Sequence, residues 1–525
     1  MTRWLRALLA CALLVGMAGS AEAVTRGGTL IYARYADSLL LDPVYNDANV
    51  DIWILTNLYD TLLQPTADGK GVQPGLASEY QVSDDGVTVT LKMRPDIKFS
   101  DGSPITVDDV KWSLDRARDS KNGIWNFILA SLDSVETKGA DGVVLHLKTP
   151  DPTFISALAT FNAAILPKKP YEAAAGATME EKAKAFAEHP IGSGPFMFES
   201  WQRNTEMVLK RNPHYWQMGE DGKPLPYLDE IRFQIIPDDA TRILKLQAGE
   251  VQGAEFIPYA RVAELKNDAN LDMMLYPSTR VQYLTVNVRP TFKDGSKNVL
   301  SDPKVRQALN YAIDKNAVAK IVTFDVGKPM VSFMSSVTPL VVNNGPLYPY
   351  DVEKAKALLK EAGVAEGTEV SCIGLAGNAD ETAILSTVQQ MWAQVGVKLN
   401  IEYLDNATRT ARYRAGDFQM RVAAWTDDIN DPSEITSYFA YFPNIESLHG
   451  GWQDKAVDDL FVKSQTEMDA GKRAEMYATI QKTYIEAAPI FFLYESPYPV
   501  ALRKNVKGFN QIPLGNNIFA GAYLE

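Results

Sequence analysis

A run of oxygen ligands, Trp425-Thr426-Asp427-Asp428-Ile429-Asn430-Asp431-Pro432, is the first candidate for chemistry in this 525-residue chain. Its acids resemble a calcium loop, but Pro432 and the missing glycine argue against one. On the residues alone, Asp428 reads as a helix cap or as a brace for the Asp431-Pro432 turn. Asp427 reads as its solvated neighbour. The groups an enzyme would need are sparse. His146, His189, His214 and His449 are the four histidines, and none forms an i, i+4 pair or a His/Cys cluster. Ser193, in Ile191-Gly192-Ser193-Gly194, is one residue short of a nucleophile elbow. Cys372, in Val370-Ser371-Cys372-Ile373, reads as a small buried hydrophobe. Binding is therefore expected rather than catalysis, with no cofactor or metal, and a secreted hydrolase is the alternative of another class. Nor are there the repeats an adhesion role would show.

Composition narrows the partners. The formal charge is −13; residues 1–23 hold Arg3 and Arg6 against Glu22, leaving about −14 on the remainder. Phosphate-backbone binding needs a basic footprint, so no nucleic-acid partner is expected. With 46% hydrophobic residues the chain can build large cores, and nine Trp and 23 Tyr suit both cores and ligand clefts.

The first 23 residues read as an export signal, with Arg3 and Arg6, an apolar run from Ala7 to Met17 and Ala21-Glu22-Ala23 as the cleavage site. The apolar run is too short for a bilayer core of about 30 Å. Leu8-Leu9-Ala10-Cys11 resembles a lipoprotein box but leaves only four apolar residues ahead of Cys11. Cleavage at Ala23 removes Cys11, so the exported chain has Cys372 alone and no internal disulfide.

The elements that would position these residues are legible along the chain. Gly28 to Ala33 reads as a strand, and Asp51 to Leu63 carries apolar residues at helical spacing. Asp85-Gly86 and Asp141-Gly142 each lead into an alternating strand, and the first closes a hairpin. Thr106 caps a helix whose first turn holds Asp108 and Asp109. Gly192-Ser193-Gly194 is a turn feeding the strand at Phe196. From Tyr283 the pattern changes to helices at Pro303–Ile313, Asp351–Ala362 and Glu381–Val395 alternating with short strands, which predicts an α/β unit with a mostly parallel sheet. After Ala488 the chain returns to strand and turn character.

Five segments in order resemble the extracellular solute-binding protein family 5 of ABC importers, which includes oligopeptide-, dipeptide-, opine- and nickel-binding proteins. They are Leu91-Lys92-Met93-Arg94-Pro95-Asp96-Ile97-Lys98-Phe99-Ser100-Asp101-Gly102 with Thr106 to Val110, Gly192 to Phe196, Val305 to Leu309 with Ala312-Ile313-Asp314, Asp351 to Gly363, and Trp425 to Pro432. The resemblance implies an α/β, bilobal periplasmic-binding-protein fold (type II-like). Lobe I would be residues 24–282 and 496–525, with an extra subdomain at about 58–190. Lobe II would be residues 283–495. It also implies a monomer that captures a peptide or other small amine-bearing solute in the periplasm and delivers it to the membrane permease. A receptor for an opine-like compound or for a metal or haem chelate is the alternative within the family.

In peptide-binding members an Asp of the W-x-x-D segment takes the ligand ammonium, and the matching residue here is Asp428. Trp425 either lies along the ligand or fills the lobe core. Thr426, Tyr35, Tyr45, Asn46 and Trp125 are further expected contacts, the last on a loop of the extra subdomain. One departure matters. Dipeptide-specific members carry an Arg before a lobe II helix to clamp the ligand carboxylate, and Gly374-Leu375-Ala376-Gly377-Asn378-Ala379-Asp380 has no basic residue. Arg409, Arg412, Arg414 and Arg421 lie downstream as substitutes or as helix-surface charges.

Overall fold

The computed structural model describes residues 24–46 and 48–525, so the expected export signal and Cys11 lie outside the described residues. Six strands and four helices suffice to place the cleft. They are β1 (Thr29–Arg34), β2 (Leu271–Tyr276), β3 (Val281–Val286), β4 (Met420–Trp425), β5 (Ile490–Glu495) and β6 (Tyr498–Arg503), with α1 (Asn49–Leu58), α2 (Val107–Arg118), α3 (Ala379–Ala393) and α4 (Pro432–Phe439).

A seven-stranded mixed sheet runs in the order β2, β6, Gly253–Ala254, β1, Glu230–Ile235, Glu206–Arg211, Phe196–Gln202. A six-stranded sheet runs Lys328–Pro329, β5, β3, β4, Thr368–Leu375, Val397–Leu404. Each sheet buries its own apolar core: Leu30, Tyr32, Ile231 and Phe233 lie in one, and Leu284, Val370, Trp392 and Phe491 in the other. Two chain crossings join the sheets, from β2 to β3 and from β5 back to β6. They are laced together: Ser278 Oγ donates to Ser496 O (2.7 Å), Ser496 N–H to Arg280 O (3.3 Å) and Tyr259 Oη to Pro497 O (2.9 Å). Two adjacent crossings with few other covalent ties are what a hinge requires.

The second sheet departs from the predicted parallel one. Thr368–Leu375 pairs in parallel with Val397–Leu404 and with β4, whereas β3 pairs antiparallel with both β4 and β5. The reason is topological: β3 and β5 are the two crossing strands, and a chain that enters and leaves by the same hinge must run in opposite directions there. The same sheet is fully buried on β5, all six residues of which lie inside.

A four-stranded antiparallel sheet (Ala77–Val82, Thr88–Met93, Gly142–Leu147, Leu132–Lys138) with α2 forms the subdomain. Thr106 and Asp109 cap α2 reciprocally, as the sequence predicts. Asp42, fully buried, ties this unit to the loop after β1: it accepts from Arg116 (2.6 Å), from Tyr171 Oη (2.8 Å) and from the N–H of Val44 (2.8 Å).

The helix predicted over Asp51–Leu63 ends at Leu58. Gly194 N–H donates to Leu58 O (2.9 Å), and Ser193 Oγ accepts from Asp60 N–H (2.9 Å) and donates to Ile165 O (3.2 Å). A Cβ on Gly192 would stand 1.8 Å from Leu58 O, so only glycine allows this approach. The Gly-Ser-Gly turn is thus a plug on the end of α1. Ser193 spends its hydroxyl on two backbone groups, with none left for nucleophilic work.

Candidate ligand-binding site

The loop after β4 carries three carboxyl groups into the space between the lobes. Asp427 follows Trp425-Thr426 directly; its Oδ1 accepts from Trp425 Nε1 (2.8 Å), its Oδ2 from Thr338 Oγ1 (3.1 Å), and its N–H donates to Thr279 Oγ1 of the hinge (2.9 Å). Asp427 is buried, not solvated as expected, because Trp425 and the hinge close over it. Glu434, in the first turn of α4, reaches back to accept from the N–H groups of Asp428 (2.7 Å) and Ile429 (2.9 Å). The helix cap is Asp431, whose carboxylate accepts from Ser433 N–H (2.8 Å) and is paired with Arg473 (2.7 Å). Asp428 is therefore left without capping duty, half-buried, with its side chain against that of Glu434.

No cation neutralises this group. Among the described residues, Asp427, Asp428 and Glu434 make no ion pair, and Val422 to Asp454 contains no Lys or Arg. Burial pushes Asp427 up to about 7 and Asp428 up to about 6; the hydrogen bond with Glu434 holds Asp428 back somewhat. Burial and then the charges of Asp428 and Asp427 push Glu434 well above the usual carboxylate range. Three acids crowded in a low-dielectric pocket cannot all ionise unless a positive charge joins them. Such an arrangement can accept a cationic group with several N–H donors, as an ammonium has. Among the described residues no group of three or more His, Cys, Asp or Glu has metal-holding geometry.

Asp428 faces lobe I across a crevice of about 30 Å³ lined by Thr56, Gly69, Phe161, Asp428, Asn430 and Asn516 among others. Asn430 Nδ2 donates across it to Gly69 O, a direct bond between lobes. That volume holds a water or two. A solute larger than that is admitted only if the lobes part and the Asn430–Gly69 bond breaks.

The predicted contacts divide into two sets. Tyr35 sits at the lobe I wall, its ring 4.5 Å from Phe256, which stacks 5.2 Å from Trp53; Tyr498 completes this aromatic group at 5.8 Å from Trp53. Trp425 orients Asp427 with its indole N–H and lays its ring 4.5 Å from Tyr438 of α4. Thr426 is half-buried beside the hinge. Tyr45, Asn46 and Trp125 lie apart from these, holding one another: Trp125 Nε1 donates to Asn46 O (2.6 Å) and Tyr45 Oη to Asn122 Oδ1 (2.8 Å). Trp125 packs edge-on to the crevice residue Phe161 at 5.1 Å, one layer behind the wall.

Three of the four downstream arginines are occupied elsewhere, and Arg414 is exposed. Arg409 is buried against Glu381 (2.6 Å), Arg412 pairs with Glu402 (2.7 Å), and Arg421 lies over the Tyr413 ring at 4.3 Å. Glu434, Asn430 and Thr338 were not singled out from sequence. The one usable signal was the absence of Lys and Arg from Val422 to Asp454, which leaves the acids there without a cation close in sequence.

The sequence profile of bacterial extracellular solute-binding proteins, family 5, matches residues 71–446. The chain is 31% identical over 495 residues to a dipeptide-binding protein of Escherichia coli K12, covering 89% of each chain. It is 30% identical over 459 residues to a glutathione-binding protein of Shigella dysenteriae, covering 86% of each. Its fold matches the structure of HbpA2 from Haemophilus parasuis with a TM-score of 0.82 and 27% identity, over 95% of this chain and 100% of the other.

Proposed function

The chain belongs to the bacterial extracellular solute-binding proteins of family 5, the substrate-binding components of ABC importers, and we propose that the solute it captures is a short peptide held by its α-ammonium at Asp428. The observation that carries this reading is the uncompensated carboxyl cluster of Asp427, Asp428 and Glu434 at the crevice between the lobes. An ammonium entering there supplies the missing charge and three donors, and its charge favours the ionised form of Asp428, whose proton passes to solvent. Peptide and glutathione relatives carry ligands with such an ammonium by name.

In this reading residues 1–23 direct export, and the protein works in the periplasm as a monomer built from lobes 24–282 with 496–525 and 283–495. Solute binds the open form, the lobes close about the crossings at 277–280 and 496–497, and Asn430 bonds Gly69 as a latch. Closure excludes water and strengthens the Asp428–ammonium bond. The permease then receives the closed form and the solute unaltered, without hydrolysis. Binding energy shifts the equilibrium only by the difference in affinity for the two states, and the ammonium site supplies that difference because water leaves it on closure.

The test is mass spectrometry of whatever co-purifies, followed by thermal-shift screening of di- to tetrapeptides. A peptide ligand, raising the melting temperature in its free-amine form and not when N-acetylated, supports the reading. An amine-free ligand, or turnover of the peptide, overturns it.

A further inference from the structure

We propose that lobe I holds a second binding site, separate from the crevice at Asp428, and that this site takes a small tertiary amine with an apolar body.

The site is a cavity of about 660 Å³, against about 30 Å³ for the crevice. Its lining residues fall within 24–227 and 508–523, so lobe I builds it alone and closure of the lobes is not needed to complete it. The end of α1, the hairpin of Leu63–Pro65 with Val72–Pro74, the segment around Phe161 and the C-terminal tail form its walls. A space of that volume suits a small organic molecule. Deep inside, the side chains of Leu55, Phe161, Tyr215, Leu225, Tyr227 and Ile512 are buried. At the other end Ala67, Gln73, Met218 and Glu220 are exposed and make a mouth open to solvent. Phe161 and Ile512 line the crevice as well, so the two spaces share a wall.

Charge selects what enters. The lining contains no Lys, Arg or His and two acids, Asp60 and Glu220. Asp60 is buried; the cation that it feels, Arg94, lies 4.0 Å over the Trp216 ring and does not line the cavity. Export cleavage after Ala23 would add one positive group, the α-ammonium of Val24, and Glu220 offsets it in net charge. Asp60 then remains uncompensated. Burial pushes its carboxyl up to about 6, and hydrogen bonds from Trp216, Gln64 and Thr61 hold it from rising further, so it is ionised at neutral pH. An anion would meet repulsion here and a cation attraction.

The hydrogen bonds already made at Asp60 set the kind of cation. One of its oxygens accepts from Trp216 Nε1 (2.6 Å), and the other from Thr61 N–H (3.1 Å) and from Gln64 Nε2. A carboxylate offers about four acceptor positions, which leaves about one. A tertiary ammonium brings a single N–H, and its alkyl groups, which carry part of the charge, suit aromatic walls such as those of Tyr215 and Tyr227. A primary ammonium would keep N–H groups unmet in this apolar space, and that costs binding energy. The two sites therefore discriminate: three N–H donors favour the acid cluster at Asp428, and one favours Asp60.

The test is calorimetric titration of N,N-dimethylphenethylamine, phenethylamine, 2-phenylethanol and 3-phenylpropionate into wild type, Asp428→Asn, Asp60→Asn and Met218→Arg. The tertiary amine should bind tightest, by about tenfold over the neutral alcohol and by more over the anion, the scale of a charge-assisted hydrogen bond. Its affinity should be the same in Asp428→Asn and in wild type saturated with tri-alanine. Asp60→Asn should lower it by about tenfold. Met218→Arg, which sets a positive charge at the exposed mouth, should lower it without touching the core, and it decides the matter if melting shows that Asp60→Asn does not fold. Loss of amine binding in Asp428→Asn, or its displacement by tri-alanine, puts the amine in the crevice and overturns the second site while leaving the peptide reading in place. Tighter binding of phenethylamine or of 3-phenylpropionate overturns the ligand class, and unchanged affinity in Met218→Arg overturns the location.

Discussion

Asp428→Asn separates the binding role of this carboxyl from any role in folding, because the two readouts move in opposite directions. In the unliganded protein Asp428 is crowded against Glu434 and near Asp427, all raised by burial. Removing one ionisable group relieves repulsion, so the variant should melt at or above wild type at pH 7. Ligand binding should weaken. A hydrogen bond to a charged partner is worth about 1.5–3 kcal/mol, which at 1.4 kcal/mol per decade is a loss of about 10- to 150-fold for a free-amine peptide. The pH dependence adds a second signature. Asp428 must be ionised to hold an ammonium, and it titrates at about 6. Wild-type affinity should therefore be greatest near pH 7 and fall by about tenfold per unit below about pH 5.5, whereas the variant should show no such acidic fall; above about pH 8 both should weaken as the peptide's α-amino group loses its proton. Calorimetric titration at pH 5, 6 and 7.5, with the N-acetylated peptide as control, reads all of this. If the variant keeps wild-type affinity, or keeps the acidic loss, the ammonium does not sit at Asp428.

Stability of the unliganded protein should fall as pH rises from 5 to 7. Asp427, Asp428 and Asp60 titrate at about 7, 6 and 6 when folded, against about 3.9 unfolded, so the native state holds protons that the unfolded chain has shed. Denaturation within that window checks it; above it Lys315, lowered by burial to about 7, acts in the opposite sense. Arg473→Met should destabilise by about 3–5 kcal/mol, since it leaves the buried Asp431 uncompensated at the start of α4, and urea midpoints measure the loss. Asn430→Ala should shift the unliganded protein toward open lobes, seen as a larger radius of gyration in solution scattering, while the ligand-bound radius stays as in wild type. Ser193→Ala should cost about 1–3 kcal/mol, because Asp60 N–H and Ile165 O lose their partner, and should leave peptide affinity unchanged.

Local rules written in the sequence determined the pieces. Thr106 with Asp109 caps α2, Asp85-Gly86 turns a hairpin and the apolar spacing after Asp51 starts α1, because each of these depends on neighbours within a few residues. Acidity, the scarcity of catalytic groups and the family resemblance were legible in the same way. Tertiary structure alone decided which charges are satisfied. Asp427 reads as a surface acid until Trp425, Thr338 and the hinge close over it, and Glu434 reads as a helix-start acid until it folds back onto the Asp428 backbone. The physical reason is that a charge's energy depends on burial and on partners brought from hundreds of residues away, whereas a turn or a cap depends on the residues beside it.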